Sequence, residues 1–257
     1  MTAVAPIRRS QFPELVRTHA REVIRDGRAV LAILVSFIAL IALLGGIDLI
    51  IAGSMGQPPR ILQSGLGLVS VTGFMAVAFV ITTVPLVNYR HRGILRQLAT
   101  TPARRATFLL AHVPIRAAII FTETVIVIAV ALIGGLDASQ ALPLAFTLLL
   151  GAGMILSLGY LLAARMTNPD AALQLSYIVP MLVLVTSGAL FPLGIYPPAV
   201  RIALSGLPTT WLVDSINAQI GGNAPTLPVG LTWFLMGLLT LVVSCATPRL
   251  FRWTKSD

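Results

Sequence analysis

An all-α membrane protein with six spanning helices is the fold class this sequence predicts, and three observations lead there. Hydrophobic residues make up 56% of the 257 residues and charged residues 11%, with a mean hydropathy of +0.91, a balance that belongs to chains dissolved in lipid rather than water. Six apolar runs each reach the roughly 20 residues that a helix needs to cross about 30 Å of hydrocarbon. The basic residues collect in alternate connections between those runs, the pattern of chains whose basic loops stay on the cytoplasmic side.

The chain opens with residues 1–28, which are polar and charged. Within "SQFPELVRTHAREVIRDGRA", Phe12, Leu15, Val16, Ala20, Val23 and Ile24 recur at helical spacing, with Arg17, Arg21, Arg25 and Arg28 on the opposite side. This predicts an amphipathic helix. Two placements are open: along the cytoplasmic interface with its guanidinium groups near anionic headgroups, or a solvated helix preceding an anchor. No signal peptide is expected, because the first apolar run is long enough to span and stay.

The six spans are expected at Ala29–Ala52, Gly65–Val87, Ile115–Gly135, Ala141–Ala164, Ala171–Pro192 and Thr226–Thr247. Residues 29–257 thus form one six-span domain. Pro85 and Pro180 should kink their spans or mark their ends. Charge within the spans is limited to Asp48, Arg116 and Glu123. Arg116 lies near a cytoplasmic end and can snorkel to the interface. Glu123 lies two turns deeper, about 10 Å along the axis, too far for a direct pair with Arg116. It either lines a path at the interior of a dimer or hydrogen-bonds a neighbouring helix.

Orientation follows from the basic residues. Residues 1–28 carry six, the 88–112 connection five, the 165–170 turn one and the tail three, fifteen on one side, whereas only Arg60 and Arg201 fall on the other. Both termini are therefore expected in the cytoplasm of a cell (inner) membrane protein. Confinement of the charge to these loops also speaks against nucleic acid as a partner, despite the net charge of +9.

Several chemistries are missing. Lys255 is the only lysine, so no Gly-Lys-Ser/Thr phosphate loop exists and the chain is not itself an ATPase of that kind. His19, His91 and His112 are scattered without ligand spacing, which predicts no metal site. No nucleophile and base pair suggests a membrane-embedded enzyme, so no catalytic residue is expected. Cys245 stands alone in an apolar run, which excludes an internal disulfide and reads as a small core residue.

Two segments do not span. In "YRHRGILRQLATTP", Ile94, Leu95 and Leu98 share one face of a short helix and Arg92 and Arg96 another, and Thr101-Pro102 should stop it. Such a helix over 90–102 suits insertion into a groove on another protein, or it is a connector that only satisfies the charge rule. The second, "SGALFPLGIYPPAVRIALSGLPTTWLVDSINAQIGGNAP", is too apolar for an ordinary loop, yet Pro192, Pro197, Pro198 and Pro208 forbid a continuous helix. Two short helices at Pro198–Ser205 and Thr209–Ile220 are expected in the 192–222 segment, dipping into or lying on the outer interface, with Trp211 and Tyr196 at headgroup level.

In this order, Arg92-Gly93-Ile94-Leu95, Leu98 and Thr101-Pro102, then Ser187-Gly188, Phe191-Pro192, Leu207-Pro208 and Gly221-Gly222, the sequence resembles the membrane subunits of type-2 ABC exporters, the ABC-2 permease family that includes daunorubicin-type drug efflux permeases. The resemblance implies a cytoplasmic coupling helix docking Arg92, Gly93, Ile94, Leu95, Arg96, Leu98, Thr101 and Pro102 on an ATPase. It also implies two outer re-entrant helices that include Gly188, Pro192, Pro198, Pro208, Trp211 and Asp214. The expected partners are two cytoplasmic ABC ATPase subunits, which would bind the ATP and Mg, and a second permease subunit, identical or related. Family members often carry glutamates beside the coupling glycine; here the neighbours are Arg90, His91, Arg92 and Arg96, which implies a more acidic groove on the ATPase.

Cargo follows from the lining that the spans can offer. Besides Glu123, the candidates Met75, Phe79, Met154, Tyr160, Met181 and Phe191 are apolar or weakly polar. A highly charged solute would lose hydration there with little return, whereas an amphipathic drug-like molecule or lipid would not. The competing function is a secondary transporter or channel with Glu123 as a proton or ion relay. Against it stand the single buried acid and the absence of inverted halves.

Overall fold

The computed structural model describes residues 11–25, 27–55, 60–94, 105–222 and 224–251. Among these it is all-helical, with six helical segments long and apolar enough to cross a membrane, preceded by a separate amino-terminal helix. That helix, α1, is Gln11–Arg25, and span 1 is α2, Gly27–Met55. Span 2 runs continuously through three pieces: α3 (Ile61–Met75), a π-helical stretch Ala76–Thr83, and α4 (Val84–His91). Spans 3 to 5 are α5 (Arg105–Ile133), α6 (Ala138–Arg165) and α7 (Pro169–Thr186). Two short helices, α8 (Pro198–Ser205) and α9 (Pro208–Gly221), precede span 6, α10 (Val229–Leu250). Because the spans alternate in direction, the ends of spans 2, 4 and 6 share one end of the bundle, called here the basic end.

Span 2 forms the axis of the core. Leu66, Val69, Val71, Phe74, Val77, Ala78 and Leu86 are buried there against Leu144, Leu148, Met154, Ile155 and Ala163 of span 4. Small residues permit that approach, as membrane helices lacking a hydrophobic force between them require. A Cβ on Gly159 would lie 2.6 Å from the carbonyl oxygen of Ala78, so the two backbones touch through the hydrogen of a glycine.

Pro85 explains the π stretch better than a simple kink does. It sits in the first turn of α4, and its missing N–H leaves the carbonyl four residues back, that of Ile81, without its helical donor. Upstream, the wider turn is braced by side chains: the Thr82 hydroxyl donates to Val77 O at 2.8 Å, and that of Thr83 donates to Ala78 O at 2.9 Å. The Thr83 hydroxyl also lies 2.9 Å from Gly159 O. A π stretch inside an α-helix is uncommon and concentrates at functional positions.

Helix ends are capped by side chains, one of them from across a loop. Asp48, near the end of span 1, accepts from Ile61 N and Leu62 N at 2.9 and 2.8 Å, which satisfies the exposed donors of α3 from another helix. Asp137 caps α6 through Ser139 N at 2.8 Å, and Asn168 caps α7 through Asp170 N at 2.9 Å.

Three placements differ from the expectations. In α1, Leu15, Val16 and Ala20 are half-buried, but the most buried residue is His19 and Phe12 is exposed; α1 packs on span 3, with the His19 and His112 rings 3.5 Å apart. Two of the scattered histidines therefore meet, their rings tilted by 34°. Among the described residues no group of three metal-ligating side chains forms. Cys245 is exposed on span 6 rather than in the core, because in lipid an apolar run carries no preference for the protein interior. Finally, the two short helices behave differently from one another. No residue of α8 is buried, with Ile202 72% exposed, whereas α9 inserts Leu212, Val213, Ser215 and Ile216 between spans 2 and 4.

Candidate functional site

At the basic end, span 2 stops at a defined turn. Arg92 N donates to Asn88 O at 2.9 Å, Gly93 N donates to Arg90 O at 3.1 Å, and Gly93 takes φ +75°. That left-handed conformation suits glycine, and it ends helices because it redirects the chain. Helix resumes at Ile94, whose side chain is exposed, as are those of His91 and Arg92. The expected helix over 90–102 is thus corrected at its start: its first residues belong to the end of span 2, the chain breaks at Gly93 for a steric reason, and Arg92 and Ile94 face outward. Leu95, Arg96, Leu98, Thr101 and Pro102 lie outside the described residues.

Arg90 is not part of that outward display. It is 4% exposed, and its guanidinium donates to Ala163 O at 2.8 Å, to Ala164 O at 3.2 Å and to Met166 O. Its Cζ also lies 4.9 Å from the centre of the Phe251 ring. The carbonyls are those that the end of α6 leaves without helical donors, where a cation is also favoured by the helix dipole. A guanidinium fork can serve several acceptors and stack on an aromatic face at once. Counting Arg90 among the charges that flank the coupling glycine is therefore corrected: its charge is spent on span 4 and on the end of span 6.

Arg116 also turns inward instead of snorkelling. It is 3% exposed and donates to Ile81 O at 3.0 Å and to His112 O at 3.3 Å. The first acceptor is the carbonyl orphaned by Pro85, so the arginine supplies the donor that the proline lacks.

Glu123 is wholly buried inside the subunit. A Cβ on Gly73 would lie 3.1 Å from its carboxyl carbon and 2.7 Å from the Phe37 ring, so the carboxyl sits where spans 1, 2 and 3 meet. Neither carboxyl oxygen has a hydrogen-bond partner among the described residues. Met75, Phe79, Met154 and Tyr160 are buried around span 2, whereas Met181 and Phe191 are exposed. The structure does not bring these seven together in one cavity. Tyr160 alone among them lines a cavity of about 280 Å³ with Leu110, Val113, Ser157 and Thr247, between spans 3, 4 and 6.

At the far end, Gly188, Pro192 and Asp214 do meet, in a cleft of about 610 Å³ that also takes in Arg60, Gln63 and Asn217. Asp214 accepts from Thr226 N at 2.6 Å. Pro198 and Pro208 each sit in the first turn of their helices, where the missing N–H costs nothing. Trp211 Nε1 donates to Ser205 O and the Tyr196 hydroxyl donates to Val185 O, both at 2.9 Å, so the polar ends of these two rings are satisfied by the protein. A further polar cluster, unforeseen from the sequence, joins Gln219 and Trp233 on Thr147, with Gln219 Nε2 and Trp233 Nε1 at 2.9 and 2.7 Å from its hydroxyl.

Sequence reasoning missed the Arg90 cluster, the π stretch and the capping by Asp48. Only Pro85 and the two adjacent threonines gave any local signal. The Arg90 acceptors lie more than 70 residues away, beyond the reach of any spacing rule.

No match is found among curated proteins. The sequence profile of ABC-2 family transporter proteins matches residues 56–247, from the start of span 2 almost to the end of span 6. With six apolar spanning helices and most of its length inside that match, the chain belongs to the ABC-2 family of transporter proteins, as a multi-pass membrane protein.

Proposed function

We propose that the chain is the permease subunit of an ATP-driven exporter, paired with a second permease and with two cytoplasmic ATPase subunits that bind and hydrolyse ATP. Family membership carries this reading. The turn at Gly93 supports it, since it gives the residues that follow a fixed exit from span 2. Both termini and the 88–112 connection face the cytoplasm, on the fifteen-to-two distribution of basic residues. In this reading residues 92–102 dock in an apolar groove of the ATPase, and closure of the ATPases shifts the permease pair between inward-open and outward-open states.

The cargo is a hydrophobic or amphipathic compound, a drug-like molecule or a lipid. Spans 1, 5 and 6 present mainly apolar side chains on their exposed faces, among them Leu49, Ile50, Met181, Leu182, Phe234 and Leu241, which offer no replacement for the hydration of a multiply charged solute.

The test is co-purification with the candidate ATPase, with the subunit ratio measured, followed by Leu95→Asp and Leu98→Asp. A charge placed in an apolar groove is desolvated without a partner, so permease expression should survive while stimulation of the ATPase is lost. Wild-type stimulation in both variants would refute the docking assignment. Single cysteines in a Cys245→Ser background give the orientation: an impermeant thiol reagent should label Gln57→Cys, Asp137→Cys and Asn223→Cys from outside and leave Arg104→Cys unlabelled. Transport that survives ATP depletion would favour the secondary-transporter reading instead.

A further inference from the structure

We infer that Arg90 is the tie through which movement of the docking segment reaches spans 4 and 6, so that the driven unit of the permease is the basic ends of spans 2, 4 and 6 together. This rests on the proposed docking of residues 92–102. A segment that follows span 2 and precedes span 3 would be expected to move those two spans alone. Arg90 changes that expectation. It lies three residues before the Gly93 turn, on the last turn of α4, and its side chain leaves span 2 altogether.

Three carbonyl oxygens of the end of span 4, those of Ala163, Ala164 and Met166, accept from its guanidinium. The ring of Phe251, immediately after span 6, is 1% exposed and lies beneath its Cζ at 4.9 Å. A buried guanidinium that loses such acceptors has no water to replace them. Displacing the end of span 2 therefore either carries the other two ends with it or takes these acceptors away from a buried charge. By contrast, the exposed Arg92 and Ile94, two and four residues further on, make no such demand on the bundle. Arg90 is in this sense a positioning residue, acting through the helix ends that it joins.

The experiment uses the full permease with its ATPase, reconstituted in lipid nanodiscs. Cysteines replace the exposed Arg28 at the start of span 1 and, in separate variants, the exposed Arg165 or Arg249 at the ends of spans 4 and 6, in a Cys245→Ser background; the spin labels they carry report each driven end against a span outside the unit. The label-to-label distance is measured without nucleotide and after trapping with ATP and vanadate, and ATP turnover is measured alongside. With Arg90 present the distance should shift on trapping. In Arg90→Met, which keeps the length of the stem and removes the fork, the shift should be lost while the ATPase still assembles and turns over. Arg90→Lys, with one point charge, should retain only part of the shift, and Phe251→Leu should reduce it.

A merely structural role would lower assembly and turnover in proportion, without separating turnover from the shift. An unchanged shift in Arg90→Met overturns the inference, as does a parent complex in which the labels do not move. If Arg90→Met does not assemble, a full shift in both Arg90→Lys and Phe251→Leu overturns it equally. Leu98→Asp in the same labelled background separates the two levels. If it leaves stimulation and shift intact, the docking reading has failed; if it abolishes both while the Arg90 variants do not, only the tie is wrong.

Discussion

Spans 2 and 5 are both apolar enough to cross a bilayer, yet 72% of the most apolar stretch of span 2 is buried in the subunit against 11% for span 5. Hydrophobicity does not explain the difference, because lipid tails are as apolar as a protein core. The side chains do. Span 2 is lined by Gly67, Ser70, Gly73, Ala78, Thr82 and Thr83, small groups or hydroxyls that let neighbouring backbones approach and that bond to carbonyls. Span 5 presents Leu173, Tyr177, Ile178, Met181 and Leu182 outward. In this membrane subunit large apolar residues occur both at the centre and at the rim, and small and hydroxylated residues mark where the spans approach closely.

The sharpest way to break that contrast is to enlarge a small residue at the centre. Gly159→Leu would drive side-chain atoms into the backbone of Ala78, which cannot yield without moving the π stretch. The expected cost is about 3 kcal/mol, at the upper end for overpacking, read as a large fall in the thermal midpoint of the solubilised protein. The control is Gly153→Ala on the same helix, where the new Cβ meets only the Thr240 methyl at an ordinary 3.7 Å. It should be tolerated.

A smaller effect is expected from removing the bond without changing the volume. Thr83→Val deletes the hydroxyl that lies 2.9 Å from both Ala78 O and Gly159 O, leaving acceptors short of a donor. About 1–2 kcal/mol should be lost. Measured beside Thr186→Val in span 5, whose hydroxyl donates to Leu182 O within its own helix, the variant should fall further. Equal losses would mean that the inter-span contact contributes nothing.

At the rim, Met181→Ala removes a side chain that is 70% exposed, so the thermal midpoint of the isolated subunit should move by no more than about 0.5 kcal/mol equivalent. A larger change, accompanied by a change in elution volume, would show that a second chain covers this face.

The smallest effect concerns pH. Hydrogen bonding from the Ser139 backbone N–H and side chain holds the Asp137 carboxyl below its usual pKa. A group with a depressed folded-state pKa contributes stability above its unfolded value, and that contribution disappears as pH falls through the folded pKa. The thermal midpoint should therefore be flat from neutral pH down to about 4, the ordinary carboxylate value, and decline below it. Asp137→Asn, which still caps a helix, should lessen the decline without lowering the neutral-pH midpoint.

By itself the sequence determined the number of spans, their order and their approximate limits, because crossing hydrocarbon with every backbone group bonded demands about 20 apolar residues in a row. It also determined the two short helices after span 5, through Pro198 and Pro208, since each depends on the geometry of one residue. Tertiary structure alone decided which apolar faces are inside, as Cys245 and Met181 illustrate, because lipid and protein interior reward the same side chains. It decided that α9 inserts while α8 stays out, and that Glu123 lies enclosed at the meeting of three spans. It also decided where the arginines go. Arg90, Arg92 and Arg116 differ little as letters, but one is drawn to carbonyls at the end of span 4, one faces outward, and one reaches the carbonyl that Pro85 leaves without a donor. An unpaired acceptor exists only once helices have ended or widened beside one another, so the attraction that fixes each guanidinium cannot be read before the fold has formed.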